Sequence, residues 1–466
     1  MIICSSLGVG GKGVAGVRLR YNYRLYPDPA QQAALARLFG CVRVVWNDAL
    51  AMRKAARKAG LPWVGGGDLQ KICITAAKRT PERRWLGEVS PVPLQQAIRD
   101  LDQAYRNFFD SVSGKRRGPR IGLPTFKSRR DHRQAARFNR NAFSLRPSIG
   151  PADGPAGSAG AVGGAGRLYL AKIGDVEVRW SRPLPAIPSS VTVIKDAAGR
   201  YFASFVIEVE EAGQVLPEAL TPDGDLAETG IDLGLSAYAV LADGTKISNP
   251  RWLRRRERKL ARLQRALSRK QKGSKNRDKA RAALARQHAK VTDARRDFLH
   301  QSTTRVIREN QTITLESLAV RALSRGPLAK SVHDAGWGTF IRMVEDKGAR
   351  YGRAVTKVSR WFASTKTCPC CGWVNTELTL ADREWDCRQC GEHHDRDVAA
   401  ALNLLAEGIR LRTLPGADTG IGSEVDREQQ VAAGLADTGN DCGGQVRPGE
   451  AIPTLAQPES YGAQAA

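Results

Sequence analysis

The chain has 466 residues, more than one compact domain holds, and carries 73 Lys and Arg against 47 Asp and Glu for a net charge of +26. A surplus of that size points to a polyanionic partner, with nucleic acid the leading candidate. No run of 18 apolar residues occurs, which excludes a helical membrane span, and the amino terminus carries only Lys12 among small residues with no signal-peptide core.

Residues 8–13 are glycine-rich but lack the Gly-Lys-Ser/Thr ending of a phosphate loop, so residues 1–16 read as a disordered leader. Residues 17–26 alternate apolar and polar side chains, the period of a half-buried strand, and Pro27 ends it. A helix is predicted to begin near Pro29. Leu35, Leu38, Val42, Val45, Trp46 and Leu50 form its apolar face, with Arg37, Arg43, Arg53 and Lys54 assigned mainly elsewhere. A second helix carrying Leu94, Ile98, Leu101, Tyr105 and Phe108 is expected to pack against it, and basic loops follow at residues 115–120 and 127–130.

Residues 150–166 hold seven Gly, five Ala and two Pro, a composition that predicts a flexible insertion. Strand patterns resume at residues 168–180 and 190–210 and are expected to join the sheet of residues 17–26. The simplest picture for residues 17–227 is a β-barrel interrupted by helices. A second domain, residues 228–410, reads strand, strand, short strand, long basic helix, strand, helix, strand, cysteine ribbon at 366–393 and helix, an α/β pattern with a mixed sheet. Within it residues 251–300 hold nineteen Lys and Arg against four acids, either a nucleic-acid contact or a solvated basic face. Residues 411–466 hold three basic and eight acidic residues and read as a disordered acidic tail.

Cys368, Cys371, Cys387 and Cys390 form two Cys-x-x-Cys pairs separated by 15 residues, the frame of a tetrahedral Zn²⁺ site. Four sulfurs leave no position for water, so the zinc is structural. Cys370, His393 and His394 lie close enough in sequence to compete as ligands, while cysteines 4, 41, 73 and 442 are scattered and outline no disulfide framework. The chain is therefore expected to be soluble in a reducing compartment.

Three acids stand at the ends of apolar segments. Asp232 lies on a buried-looking strand between Gly230 and Gly234, Glu316 ends Ile-Thr-Leu, and Asp397 opens the last helix, where it could equally serve only as a cap. Carboxylates of this kind hold Mg²⁺ or Mn²⁺, and two such ions about 3.5–4 Å apart support in-line phosphodiester cleavage. Metal-assisted hydrolysis of nucleic acid is the expected chemistry.

The ordered motifs Gly230-Ile-Asp-Leu-Gly234, Thr312-Ile-Thr-Leu-Glu316-Ser-Leu, Asp334-Ala-Gly-Trp-Gly338, Arg360-Trp-Phe-Ala-Ser-Thr-Lys-Thr-Cys-Pro-Cys-Cys-Gly372 and Asp395-Arg-Asp-Val-Ala-Ala-Ala-Leu-Asn403 resemble the TnpB (OrfB) family of insertion-sequence proteins, related to type V CRISPR effectors. Tyr23-Arg-Leu-Tyr-Pro27 and Gly122-Leu-Pro-Thr-Phe-Lys127 extend the resemblance towards the amino terminus. It implies a wedge-type β-barrel with a helical recognition insertion, then an RNase H-like (RuvC-like) domain with an inserted four-cysteine zinc ribbon. It also implies a guide RNA from the element's own end, a DNA target beside a short motif, and an acidic triad of Asp232, Glu316 and Asp397, with Asp395 the weaker candidate. A cytoplasmic, nucleoid-associated prokaryotic protein fits. The family commonly has Asp after the glutamate and Asn two residues after the last aspartate, where this chain has Ser317 and Ala399. The alternatives are a guide-directed or plain DNA-binding protein with little nuclease activity, and a transposase that works without RNA.

Overall fold

The computed structural model describes residues 16–116, 119–131, 133–147, 166–210, 215–379 and 381–414. Apart from their edge residues, the leader, the Gly/Ala insertion and the acidic tail lie outside these ranges. Strand β1 (Gly16–Tyr26) is followed by helix α1 (Pro29–Lys58). Asp28 starts the helix with a reciprocal cap: its carboxylate accepts from the Gln31 amide at 2.8 Å, and the Gln31 side chain accepts from the Asp28 amide at 3.1 Å. A shorter helical stretch, α2 (Gly66–Gln70), runs on through one π turn, and α3 (Pro91–Val112) lies against α1.

Six more strands complete the amino-terminal sheet: β2 (Gln134–Asn139), β3 (Phe143–Pro147), β4 (Gly166–Leu170), β5 (Gly174–Arg179), β6 (Ser190–Lys195) and β7 (Tyr201–Glu210). All pairings are antiparallel, in the order β2-β6-β7-β1-β5-β4-β3. The predicted return of the later strands to the first is thus observed, with β1 at the centre between β7 and β5. Leu19, Tyr23, Leu25, Phe138, Phe205 and Ile207 from the sheet share one buried core with Leu35, Leu38, Leu50, Leu94, Ile98 and Leu101 from α1 and α3.

One assignment on α1 is corrected. Arg53 belongs to the buried side, not the polar one: it pairs with Asp102 of α3, donates from Nε to the Val64 carbonyl at 3.2 Å and lies under the Trp63 ring at 4.2 Å. A buried guanidinium needs partners for its charge and its donors, and these come from residues 11 and 49 positions away, invisible to helix periodicity.

The second core is built on a five-stranded mixed sheet: β8 (Glu228–Asp232), β9 (Ala237–Leu241), β10 (Lys246–Ser248), β11 (Thr312–Glu316) and β12 (Ala354–Val358), ordered β10-β9-β8-β11-β12. β8, β11 and β12 are parallel, and β9 and β10 run antiparallel. The basic segment is a helical hairpin, α4 (Trp252–Ser268) and α5 (Lys275–Glu309), rather than the single long helix expected. Gly273 at φ 88° turns the chain, and Ser274 caps α5 by accepting from the Arg277 amide.

Helices α6 (Val320–Leu323), α7 (Ala329–Ala335) and α8 (Trp337–Tyr351) connect β11 to β12. Asp334, inside a quoted motif, is buried and accepts from the Leu253 and Arg254 amides at 2.8 and 3.2 Å, capping α4 from the far side of the sequence. The described residues finish with the hairpin β13 (Glu384–Asp386) and β14 (His393–Asp395), which runs directly into α9 (Arg396–Thr413). Among the described residues no helix is long and apolar enough to cross a membrane.

Candidate active site and metal centre

The three parallel strands of the second sheet end on one edge. Leu315 of β11 pairs with Ile231 of β8, so the next residues, Glu316 and Asp232, stand level on neighbouring strands. Helix α9 crosses β8 and β11 with almost no gap. A Cβ at Gly230 would collide with the Ala401 carbonyl and the Leu405 amide, and one at Gly408 would collide with Thr314. Gly230 therefore lets α9 reach the sheet, which brings Asp397, in its first turn, to the edge occupied by Asp232 and Glu316.

Electrostatics register that convergence. The Asp232 carboxyl is pushed up to about 7, first by desolvation and then by the negative charges of Asp397 and Glu316, with Arg396 opposing. Asp232 as a residue is half-buried. Glu316 is likewise raised by desolvation. A buried carboxyl raised by two further acids suits a divalent cation, and hard carboxylate oxygens are the donors Mg²⁺ and Mn²⁺ prefer.

The cap and the candidate site residue at the start of α9 are separate. Asp395 accepts from the Asp397 and Val398 amides at 3.0 and 3.1 Å and pairs with Lys246. Asp397 carries no capping bond and instead meets Arg396 at 3.3 Å and Arg383 at 3.8 Å. Arg396 lies inside the last motif, and its task was not legible from residue type alone. Its signal was position, a cation between two acids at a helix start.

Beside this edge Cys368 and Cys390 approach to 3.7 Å between sulfurs, Cys371 and Cys387 to 3.6 Å, and all four sulfurs lie within 4.8 Å of one another. A tetrahedron with Zn–S bonds of about 2.3 Å has edges of about 3.8 Å, so the sulfurs fit a zinc ion. Both turns have the same build. The Gly372 amide donates to the Cys368 carbonyl and the Gly391 amide to that of Cys387, with the two glycines at φ 76° and 77°.

Cys368, Cys370 and His394 form a second, overlapping donor group. The matched pair of turns favours the four sulfurs, and His394, buried with Nε2 3.1 Å from the Cys368 sulfur, fits as a hydrogen-bond donor to a thiolate. Asn403 of α9 donates to the Ser364 and Thr367 carbonyls at 2.8 and 2.7 Å, tying the first cysteine turn to the helix that carries Asp397.

Three family models match in chain order. Residues 17–61 match a helix-turn-helix domain, residues 204–326 the OrfB_IS605 family described as "Probable transposase", and residues 337–404 the Cas12f1-like TNB domain. The first falls on β1 and α1, a strand and one helix. Two of the three are models of the OrfB_IS605 class of proteins. A protein of Streptomyces pristinaespiralis named "Putative RNA-guided DNA endonuclease" is 42% identical over 405 residues, covering 84% of this chain and 90% of its own. InsQ of Escherichia coli K12, given the same description, is 29% identical over 404 residues, covering 83% and 92%. The solved mini-RNA-guided endonuclease CRISPR-Cas_phi3 aligns with a TM-score of 0.48 at 10% identity, over 85% of this chain and 93% of that one. The chain belongs to the TnpB (OrfB) family.

Proposed function

We propose that this protein is an RNA-guided DNA endonuclease of a mobile element, hydrolysing a phosphodiester bond at Asp232, Glu316 and Asp397. The observation that carries the reading is the meeting of these three acids on one sheet edge, felt as mutual repulsion at Asp232. Three parallel strands flanked by an antiparallel pair support an RNase H-like, RuvC-type domain over residues 228–410. The antiparallel sheet and its helices support a wedge-type barrel with a recognition insertion over residues 17–227.

Divalent Mg²⁺ or Mn²⁺ held by the triad would supply activation of the attacking water and charge stabilisation at the leaving 3′ oxygen. Asp232 and Glu316 hold their carboxylates level at the strand ends. Asp395 fixes the first turn of α9, and Arg396 and Arg383 both approach Oδ1 of Asp397, leaving its other oxygen for a cation. Cys368, Cys371, Cys387 and Cys390 would hold a Zn²⁺ that keeps the chain entering α9 in place and, with four sulfur ligands, would supply no step of the reaction. In this reading sequence choice rests with pairing between guide and target, while the protein recognises the backbone and a short duplex motif.

The test is to copurify the chain with RNA expressed from its native flanking DNA, then to offer the complex a guide-matched plasmid library with randomised flanks and Mg²⁺. Expected is guide-matched cleavage that falls at least roughly 100-fold in Asp232→Ala, the scale of a lost transition-state group. Guided binding without cleavage would replace the nuclease with a repressor, and cleavage of element ends without RNA would replace it with a conventional transposase.

A further inference from the structure

Trp361 is 81% exposed, the largest value among the exposed large hydrophobic residues described, with Ile187 next at 63%. Leaving an indole in water forgoes a burial term of roughly 2–3 kcal/mol typical of large apolar side chains, so its position calls for an explanation. Val358 of β12 is the register partner of Glu316, and Trp361 follows three residues later. Since β8, β11 and β12 are parallel, the turn bearing Trp361 leaves the same sheet edge as Asp232 and Glu316. Three residues of chain span at most about 11 Å, which keeps the Trp361 backbone close to the acids.

The turn is held firmly. The Phe362 amide donates to the Ser359 carbonyl at 3.0 Å, the Ser364 amide to the Phe362 carbonyl at 2.8 Å, and Asn403 anchors Ser364 to α9. Arg360 places its guanidinium 4.7 Å from the Trp361 ring centroid. A water-exposed indole on a hydrogen-bonded turn, with an arginine alongside, matches what a single nucleic-acid strand offers, a base face for stacking and a phosphate for the cation.

We propose that Trp361 is a stacking platform for one base of the unpaired DNA strand entering the triad, with Arg360 on the adjoining phosphate. This rests on the nuclease reading only for the direction of the strand. Trp361 is then a positioning residue. It fixes where along the strand the scissile phosphate stops, and it works on any base because every base has a π face.

The experiment uses the full chain with the RNA it carries from expression, and a fluorescein-labelled oligothymidylate of 20 nucleotides, with no divalent metal added so that cleavage is silent. Trp361→Ala should weaken binding roughly 5- to 150-fold, the range of one base–aromatic stack, while its salt slope stays that of the native chain. Trp361→Phe should recover most of the affinity. In the native chain, photocrosslinking with 5-iodouracil at successive oligonucleotide positions should label the peptide containing Trp361, a readout that does not depend on how the variants fold. Native affinity in Trp361→Ala, crosslinks only elsewhere, or a change in self-association in place of oligonucleotide binding would overturn the proposal. Binding with these signatures but no cleavage of a guide-matched plasmid once Mg²⁺ is restored would sink the nuclease reading and leave the platform standing.

Discussion

Asp232 is unstable as an anion in the metal-free chain, and the sign of that instability sets a testable pH dependence. Its folded value near 7 lies above the ordinary 3.8, so between those limits the folded state holds a proton that the unfolded chain has released. The stabilisation this confers is complete below about 3.8 and is lost as pH rises through 7. Metal-free protein should therefore lose more stability between pH 5 and 8 than Asp232→Asn, by on the order of 2–3 kcal/mol, the span from pH 5 up to its folded value. Thermal melts at the two pH values measure it, and parallel pH slopes would show that the Asp232 carboxyl is not raised in the folded chain. The three acids and four cysteines were legible as residue types at the ends of patterned segments. The tasks of Arg53, Asp334 and Asn403 were not. Each acts on backbone or charge far away in sequence, and no local pattern encodes a partner 81 residues off, as Asp334 has in Leu253.

At the scale of elements, β14 joins the zinc frame to α9 without a linker: Asp386 pairs with His393, and the next residues are His394 against Cys368, Asp395 as cap and Asp397 at the site. Losing zinc should free this segment. The native chain is expected to hold about one Zn²⁺, and Cys387→Ser to hold none, because a four-ligand site lacking one sulfur loses most of its affinity. In that variant amide exchange should quicken across β13, β14 and the first turn of α9, while the antiparallel amino-terminal sheet, whose core is separate, stays protected. Full zinc content in Cys387→Ser would return Cys370 and His394 as ligands. The order of elements in this half was readable because strands, basic helix and cysteine turns differ in period and composition. The break between α4 and α5 leaves little trace in the sequence, since the basic pattern continues through Gly273 with no apolar residue to mark the turn.

For the whole molecule the excess charge of +26 has a definite address. On α4, Leu253, Leu260, Leu263 and Leu267 pack with Leu284 and Val291 of α5. The opposite side presents Arg258, Arg262 and Arg265, all exposed and spaced by four and three residues, which makes one stripe on the helix. A stripe that served only solubility would show no dependence on the ligand. One that tracks a nucleic-acid backbone releases counterions, and the logarithm of affinity falls with the logarithm of salt by about 0.9 per phosphate on B-DNA. Replacing Arg258, Arg262 and Arg265 with Gln should lower that slope by roughly 2–3 and weaken binding across unrelated sequences alike. Such a change leaves the apolar side of the hairpin untouched, so melting behaviour should stay within about 1 kcal/mol of native. An unchanged slope in the triple variant would assign the stripe to solvent and move the backbone contacts to the loops at residues 115–116, 119–120 and 127–130.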